Sequence, residues 1–549
     1  MANPADSATN SSGGTPPSDH SPGARASVAL APGRGAEITL PPLQGAALAI
    51  GSVAVSLATF MNVLDASIAN VAIPTIAGDL GVSPTQGTWV ITSFAVSNAI
   101  SIPLTGWLSQ RFGQVRLFLA STLLFVLASF LCGMAQSIEM LIAFRVLQGA
   151  VAGPMIPMSQ SLLLASFPKA KAGTAMAVWG VTTLVAPVAG PILGGWISDN
   201  YSWPWIFYIN VPLGLLAAYA TWNIYGQRET ATQKLPVDTV GLSLLVLWIA
   251  ALQLMLDKGR ELDWFHSGQI ITLAAVAVIG FVGFLIWELN EKHPIVDLTL
   301  FRNRNFLGGV TALSLGYGAF FGNVVVLPLW LQTQIGYTAT VAGLAMAPVG
   351  VFAIVLSPVI GRNLHRVDAR LLATAGFLMF AVVLYMRSLF NAGVDLSTVM
   401  LPAYLQGIAM ALFFTPLSML MLSGLKPEQI PAASGLSNFV RVLFGGFGSS
   451  IATTAWDNRS AMHHSHLMEQ ANAYNPTFTD GLDNMQQLGL SNEQAHAVFE
   501  RALSVQASTL GVNDIFLFSS LMFLVLVLAI WWTRPVHGKH AHVDGGGGH

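Results

Sequence analysis

Fourteen apolar runs follow one another between residues 48 and 533, most of them near 20 residues long. As a helix, a run of that length crosses roughly 30 Å of hydrocarbon. In such a medium each backbone N–H and C=O must be satisfied within a helix or a closed barrel. Long continuous apolar runs, rather than alternating ones, select helices. Charge content agrees, because only 9% of the residues are Asp, Glu, Lys or Arg, against about 25% in soluble domains. The chain reads as an all-α, polytopic membrane protein.

The runs lie at 48–74, 87–108, 116–135, 138–165, 174–197, 204–224, 238–256, 269–287, 306–331, 340–361, 371–390, 397–423, 433–455 and 514–533. An even number puts both termini on one side. With the termini in the cytoplasm, 17 of the 24 Lys and Arg fall in cytoplasmic segments, including Arg111, Arg116, Lys169, Arg302, Arg362 and Arg366. Five (Lys258, Arg260, Arg387, Arg459, Arg501) fall outside, and Arg145 and Arg441 lie within runs. That asymmetry orients the chain. Residues 1–45 hold no Phe, Trp or Tyr and read as a disordered tail, as does the Gly- and His-rich stretch 536–549. No short apolar segment precedes the first run, so a cleaved signal peptide is not expected.

The chain repeats itself at an offset of about 255 residues. Pro103-Leu-Thr-Gly106 corresponds to Pro358-Val-Ile-Gly361, Pro74 to Pro328, and Leu147-Gln148-Gly149 to Leu405-Gln406-Gly407. Two parallel halves of six spans, 46–226 and 304–535, with two spans inserted in 227–303, account for all fourteen. Halves related by an axis along the membrane normal describe the major facilitator architecture. The segment 456–512 is expected outside the membrane. Within it Ser491 and Gln494 form a capping box ahead of an Ala495, Val498, Phe499, Ala502, Leu503 stripe, which predicts a short helix either packed on its own protein or presenting a docking surface to a partner.

Chemistry is sparse, and therefore easy to locate. Asp65 is the one acid well inside an apolar run, and Asn62, Ser67 and Asn70 make its surroundings polar. An ionised Asp at mid-bilayer costs about 3 kcal/mol or more, so such a residue is expected to carry function. It suits a group that takes up and releases a proton each cycle. Arg145 is its basic counterpart, expected to face the bundle interior and to meet either an acid or backbone carbonyls. Arg441 receives the same reading. In the fifth run, Pro187 and Pro191 bend the helix, and Gly190 and Gly194 permit a close approach of two backbones. Phe94, Trp179, Tyr317 and Phe320, with Asn62 and Asn70, are the candidate contacts for a hydrophobic cargo.

Several chemistries are excluded. No Gly-xxxx-Gly-Lys-Ser/Thr phosphate loop occurs, so the chain has no P-loop of its own for ATP. The single cysteine, Cys132, sits in an apolar run and leaves no disulfide or thiolate metal site. His463, His464 and His466 lack a patterned fourth ligand, so no metal and no cofactor are expected. A net charge of −2 gives no sign of a nucleic-acid partner. Neither a catalytic cluster nor a sizeable soluble domain is visible, which argues against an enzyme.

The motifs resemble those of the fourteen-span drug:proton antiporters of the major facilitator superfamily, closely those of the EmrB-type multidrug exporters. Leu64-Asp65-Ala-Ser-Ile-Ala-Asn70-Val-Ala-Ile-Pro74 is similar to that family's span-1 motif, and Arg145-Val-Leu-Gln148-Gly149 to its span-4 motif. Gly190-Pro191-Ile-Leu-Gly194-Gly195 resembles the antiporter motif. Gly106-Trp-Leu-Ser-Gln110-Arg111-Phe-Gly113-Gln-Val-Arg116 resembles the gating loop, with Gln110 where the family has an acid. The resemblance covers about residues 46–535. It implies proton-coupled export of amphipathic drugs across a bacterial inner membrane, with Asp65 and Arg145 in proton coupling. It further implies a periplasmic adaptor of the EmrA type and an outer-membrane channel of the TolC type. A dedicated exporter of one metabolite or siderophore would use the same scaffold.

Overall fold

The computed structural model describes residues 42–535 except 169, 170, 234, 235, 293, 365, 472 and 473. Lys169, the tail 536–549 and all but the last residues of the expected N-terminal tail lie outside the described residues. Of those last residues, Leu43 is buried and its N–H donates to the Ser166 carbonyl at 2.9 Å.

Every regular element among the described residues is helical. The long helices are α1 (Gly45–Asp79), α2 (Trp89–Phe112), α3 (Gln114–Gly133), α4 (Ile138–Ser166), α5 (Ala172–Asn200), α6 (Trp205–Tyr225) and α7 (Thr239–Lys258). After them come α8 (Gly268–Asn290), α9 (Arg304–Ile335), α10 (Val341–Asn363), α11 (Ala369–Arg387), α12 (Leu396–Leu422), α13 (Ile430–Gln470) and α14 (Asn492–Trp531). Each predicted run falls on one of them, with most ends displaced by a few residues; α13 runs on 15 residues past its run and α14 starts 22 residues before its own. Among the described residues twelve, all but α5 and α13, are long and apolar enough to cross a membrane.

Local chemistry starts these helices where polar residues stop the apolar runs. The Ser137 side chain accepts the Met140 N–H to begin α4, and Asp238 accepts that of Gly241 to begin α7. Asn303 accepts the N–H groups of Asn305 and Phe306 at the start of α9. Each such cap satisfies an otherwise orphaned donor and is worth about 1 kcal/mol. The Ser491–Gln494 box forms in both directions, at 3.2 and 2.9 Å.

The segment 456–512 departs from expectation. It is a continuation of α13 to Gln470, a helix over Pro476–Gln487, and the first half of α14. Hydrophobicity marks where a helix leaves an apolar medium, not where its hydrogen-bond ladder ends. Of the predicted stripe, Ala495 and Leu503 are buried, and Phe499 meets the Phe478 ring at 4.8 Å. Val498 and Ala502 are exposed. Arg387, the last residue of α11, is only 2% exposed and donates to Gln406 at 2.6 Å.

Packing divides the helices into two groups of neighbours. In the first, α1 packs on α4, α5 and α6, α2 on α4, and α3 on α4 and α6. In the second, α9 packs on α12, α13 and α14, α11 on α12 and α14, and α10 on α12. Where α9 crosses α13, a Cβ added to Gly448 would stand 2.0 Å from the Gly318 carbonyl oxygen. No larger residue permits that approach. The groups touch through α5 with α10 and α12, and through α13 with α2 and α4. Helix α7 packs on α8 and against both α2 and α13. Helix α8 is the least enclosed, and it exposes Ile271, Val278, Ile279, Val282 and Ile286. An outer face that apolar is what lipid, not water, solvates.

Candidate functional site

Asp65 lies on the face of α1 turned toward α4 and α6, and its side chain is entirely buried. Arg145 Nη1 donates to Asp65 Oδ2 at 2.5 Å. Gln148 and Asn210 donate to Oδ1 at 3.0 and 2.8 Å. Arg145 and Gln148 are one turn apart on α4, so they present to the same face, and Arg145 Nη1 also donates to Gln148 Oε1 at 2.7 Å. Arg145 Nε donates to the Val90 carbonyl at 3.0 Å. The Phe94 ring lies 4.2 Å from the guanidinium carbon and that of Phe207 5.5 Å. Both alternatives foreseen for Arg145, an acid and a backbone carbonyl, are realised together.

A further layer holds the donors. Asn210 Nδ2 also donates to Ser129 Oγ at 3.0 Å, and Ser129 donates to the Phe207 carbonyl at 3.0 Å. Cys132 Sγ lies 3.6 Å from Gln148 Oε1. The cluster thus ties together α1, α2, α3, α4 and α6. Arg145 Nη2 and Asn210 Oδ1 are buried without a partner, so the cluster retains one unused donor and one unused acceptor.

The α5 glycines pack directly beside this site. A Cβ on Gly190 would lie 2.5 Å from Ser67 Oγ, and one on Gly194 would lie 2.8 Å from the Ile68 carbonyl oxygen. The motif therefore seats α5 on α1 within one turn of Asp65. Gly195 is half-buried on α5. Asn70, Pro187 and Pro191 lie on α1 and α5, and their side chains are outside the described set.

In the loop between α2 and α3, Gly113 takes φ +90°, which side-chain-bearing residues rarely adopt. Glu229, from the linker after α6, accepts the N–H groups of Val115 and Arg116 at 3.1 and 2.8 Å. Its carboxylate also stands 3.9 Å from the exposed Arg116 guanidinium. Arg111 lies over Trp107 and Phe112. Gln110 offers its carbonyl to the Gln233 N–H at 2.8 Å. A Cβ on Gly106 would lie 2.7 Å from that of Ala432, at the contact between α2 and α13.

The candidate cargo residues do not form one group. Asn62 donates to the Ala152 carbonyl at 2.9 Å, and Phe94 belongs to the Arg145 cluster. Trp179 and Tyr317 face Arg441 instead. Phe320 packs between Tyr317 and Phe380, at 6.1 Å from each. Reading the sequence missed the roles of Ser129, Asn210 and Glu229, and placed Gln148 in two motifs without giving it a partner. Gln148 and Asn210 both carried a signal, as amides inside the runs 138–165 and 204–224. Among the described residues no group of three or more His, Cys, Asp or Glu stands close enough to hold a metal ion.

Comparison with known proteins accords with this architecture. The sequence profile described as Major Facilitator Superfamily matches residues 55–449. The chain is 52% identical over 503 residues to the multidrug export protein EmrB of Escherichia coli K12, covering 91% of this chain and 98% of that protein. It is 51% identical over 503 residues to the fatty acid resistance protein FarB of Neisseria gonorrhoeae, covering 92% and 98%. In fold it is similar to the proton:xylose symporter XylE, with a TM-score of 0.56 at 13% identity over 90% of this chain and 97% of that one. On the profile match and these identities, the chain is a multi-pass membrane transporter that belongs to the Major Facilitator Superfamily.

Proposed function

We propose that the protein is a proton-coupled antiporter that exports hydrophobic or amphipathic drugs and toxic compounds across the bacterial inner membrane. On this reading the fourteen helices all span the membrane. Helices α1–α6 and α9–α14 are the two halves, α7 and α8 are inserted, and both termini are cytoplasmic. The observation that carries the proposal is the buried Asp65–Arg145 pair, since ionisable groups inside the membrane mark proton relays and substrate paths. An inward proton gains roughly 2.3 kcal/mol per 100 mV from its charge alone, and Asp65 is the group that exchanges Arg145 for that proton. The close relation to EmrB supports drugs as cargo. Assembly with a periplasmic adaptor and an outer-membrane channel into a tripartite pump is part of the same proposal and rests on the motif resemblance alone.

Adding a transported drug to the purified protein should release protons into a weakly buffered medium, and Asp65→Asn protein should release none. Equal release from both would remove Asp65 from the mechanism. The similarity to a protein named for fatty acid resistance favours, as a second reading, a dedicated exporter of narrower range. A panel of unrelated drugs in proteoliposomes separates the two.

A further inference from the structure

Arg441 stands on α13 where α4, α5 and α9 meet it, only 5% exposed. Its guanidinium lies 4.8 Å from the Tyr317 ring of α9 and 5.8 Å from the Trp179 ring of α5. Nη2 donates to Asn438 Oδ1 at 2.7 Å, and Asn438 reaches Gln160 of α4 at 3.4 Å. All of these partners are neutral. Among the described residues no carboxylate forms an ion pair with Arg441. Two donors at the same place are also unused, because Arg441 Nε and the Trp179 indole N–H are buried without acceptors.

A cation held out of water is costly unless an anion meets it, and Asp65 meets Arg145 in that way. Arg441 has aromatic faces, which attract cations but supply no negative charge. The other buried arginine without an acid, Arg387, lies between α11 and α12 of a single packing group. Arg441 instead joins helices of both groups, through the Trp179 ring of α5 and the Tyr317 ring of α9. Beside it run Phe321, stacked on Tyr317 at 5.6 Å, and Phe320.

We propose that Arg441, with the Trp179 indole N–H, is a subsite for the carboxylate of a hydrophobic weak acid, whose apolar body lies along Tyr317, Phe320 and Phe321. The anion accepts from Arg441 Nε and Trp179 Nε1 and supplies the missing countercharge. The role of this subsite in transport rests on the exporter reading, but its selectivity for an anion does not.

The test uses the full-length protein in nanodiscs of neutral lipid, with dansyl-labelled undecanoate and its methyl ester as fluorescent probes. A charge-assisted hydrogen bond contributes about 1.5–3 kcal/mol. The acid should therefore bind about tenfold or more tighter than the ester. Arg441→Gln should lower that preference about tenfold, and Arg441→Lys should retain part of it. Should Arg441→Gln not fold, Trp179→Phe keeps the ring, removes the N–H and should lower the preference a few-fold. Equal binding of acid and ester by the wild type, or an undiminished preference in these variants, overturns the subsite. If drug-dependent proton release persists in that case, the exporter reading stands. A preference for the acid without any proton release would leave the subsite and sink the exporter reading.

Discussion

Arg145 and Asp65 meet at 2.5 Å with neither side chain exposed. Removing one member of such a pair strands the other charge, at a cost of about 3–5 kcal/mol. Asp65→Leu and Arg145→Leu should each destabilise the protein strongly, while the double variant should recover most of the loss. A double-mutant cycle on thermal unfolding measures that coupling. Additive losses would mean that the two charges do not interact in the folded protein.

Export should follow a different pattern from stability. Asp65→Asn keeps the side-chain volume and can still accept from Arg145, so well-folded protein is expected. Uphill export in energised vesicles should be lost, because an amide cannot carry the proton. Wild-type export by this variant would falsify the assignment of Asp65 to proton coupling.

Gly194 allows α5 to rest on the Ile68 carbonyl of α1. Gly194→Val places a branched side chain where even a Cβ would stand 2.8 Å from that oxygen. Overpacking of this kind costs about 1–3 kcal/mol and should also slow export by spreading α1 from α5. Gly350 on α10 is the control, since nothing lies within 4 Å of an added Cβ. Gly350→Ala should keep or raise the melting temperature, by helix propensity of up to about 1 kcal/mol.

Glu229 and Arg116 separate a cap from a surface ion pair. Glu229→Ala removes the acceptor for two N–H groups at the start of α3 and should cost about 1 kcal/mol. Arg116→Ala removes only a long contact of a side chain that is 73% exposed, and its melting temperature should stay near that of the wild type. Equal losses from the two would contradict the assignment of Glu229 as the cap.

Orientation is accessible to labelling because Cys132 is buried and contributes no background. Arg366→Cys and Asp480→Cys place thiols at exposed positions. The first should react only from the cytoplasmic face and the second only from outside. The opposite pattern would invert the proposed topology while leaving the fold intact.

The fourteen runs, their helical state and the arginine asymmetry were legible without coordinates, because each is decided locally. Lipid offers a backbone no hydrogen-bond partner, so a long apolar run must be a helix whatever its neighbours do. The pairing of polar groups inside those helices is not local. Asp65 finds Arg145 at 80 residues' separation and Asn210 at 145, through helix packing that small residues such as Gly190 and Gly194 permit. A buried charge announces that it needs a partner, but only the tertiary structure chooses which one. Glu229 shows the same limit outside the apolar runs, where an ordinary linker acid becomes the cap of a distant helix. Arg441 shows it from the other side, as a charge for which the described fold supplies no acid at all.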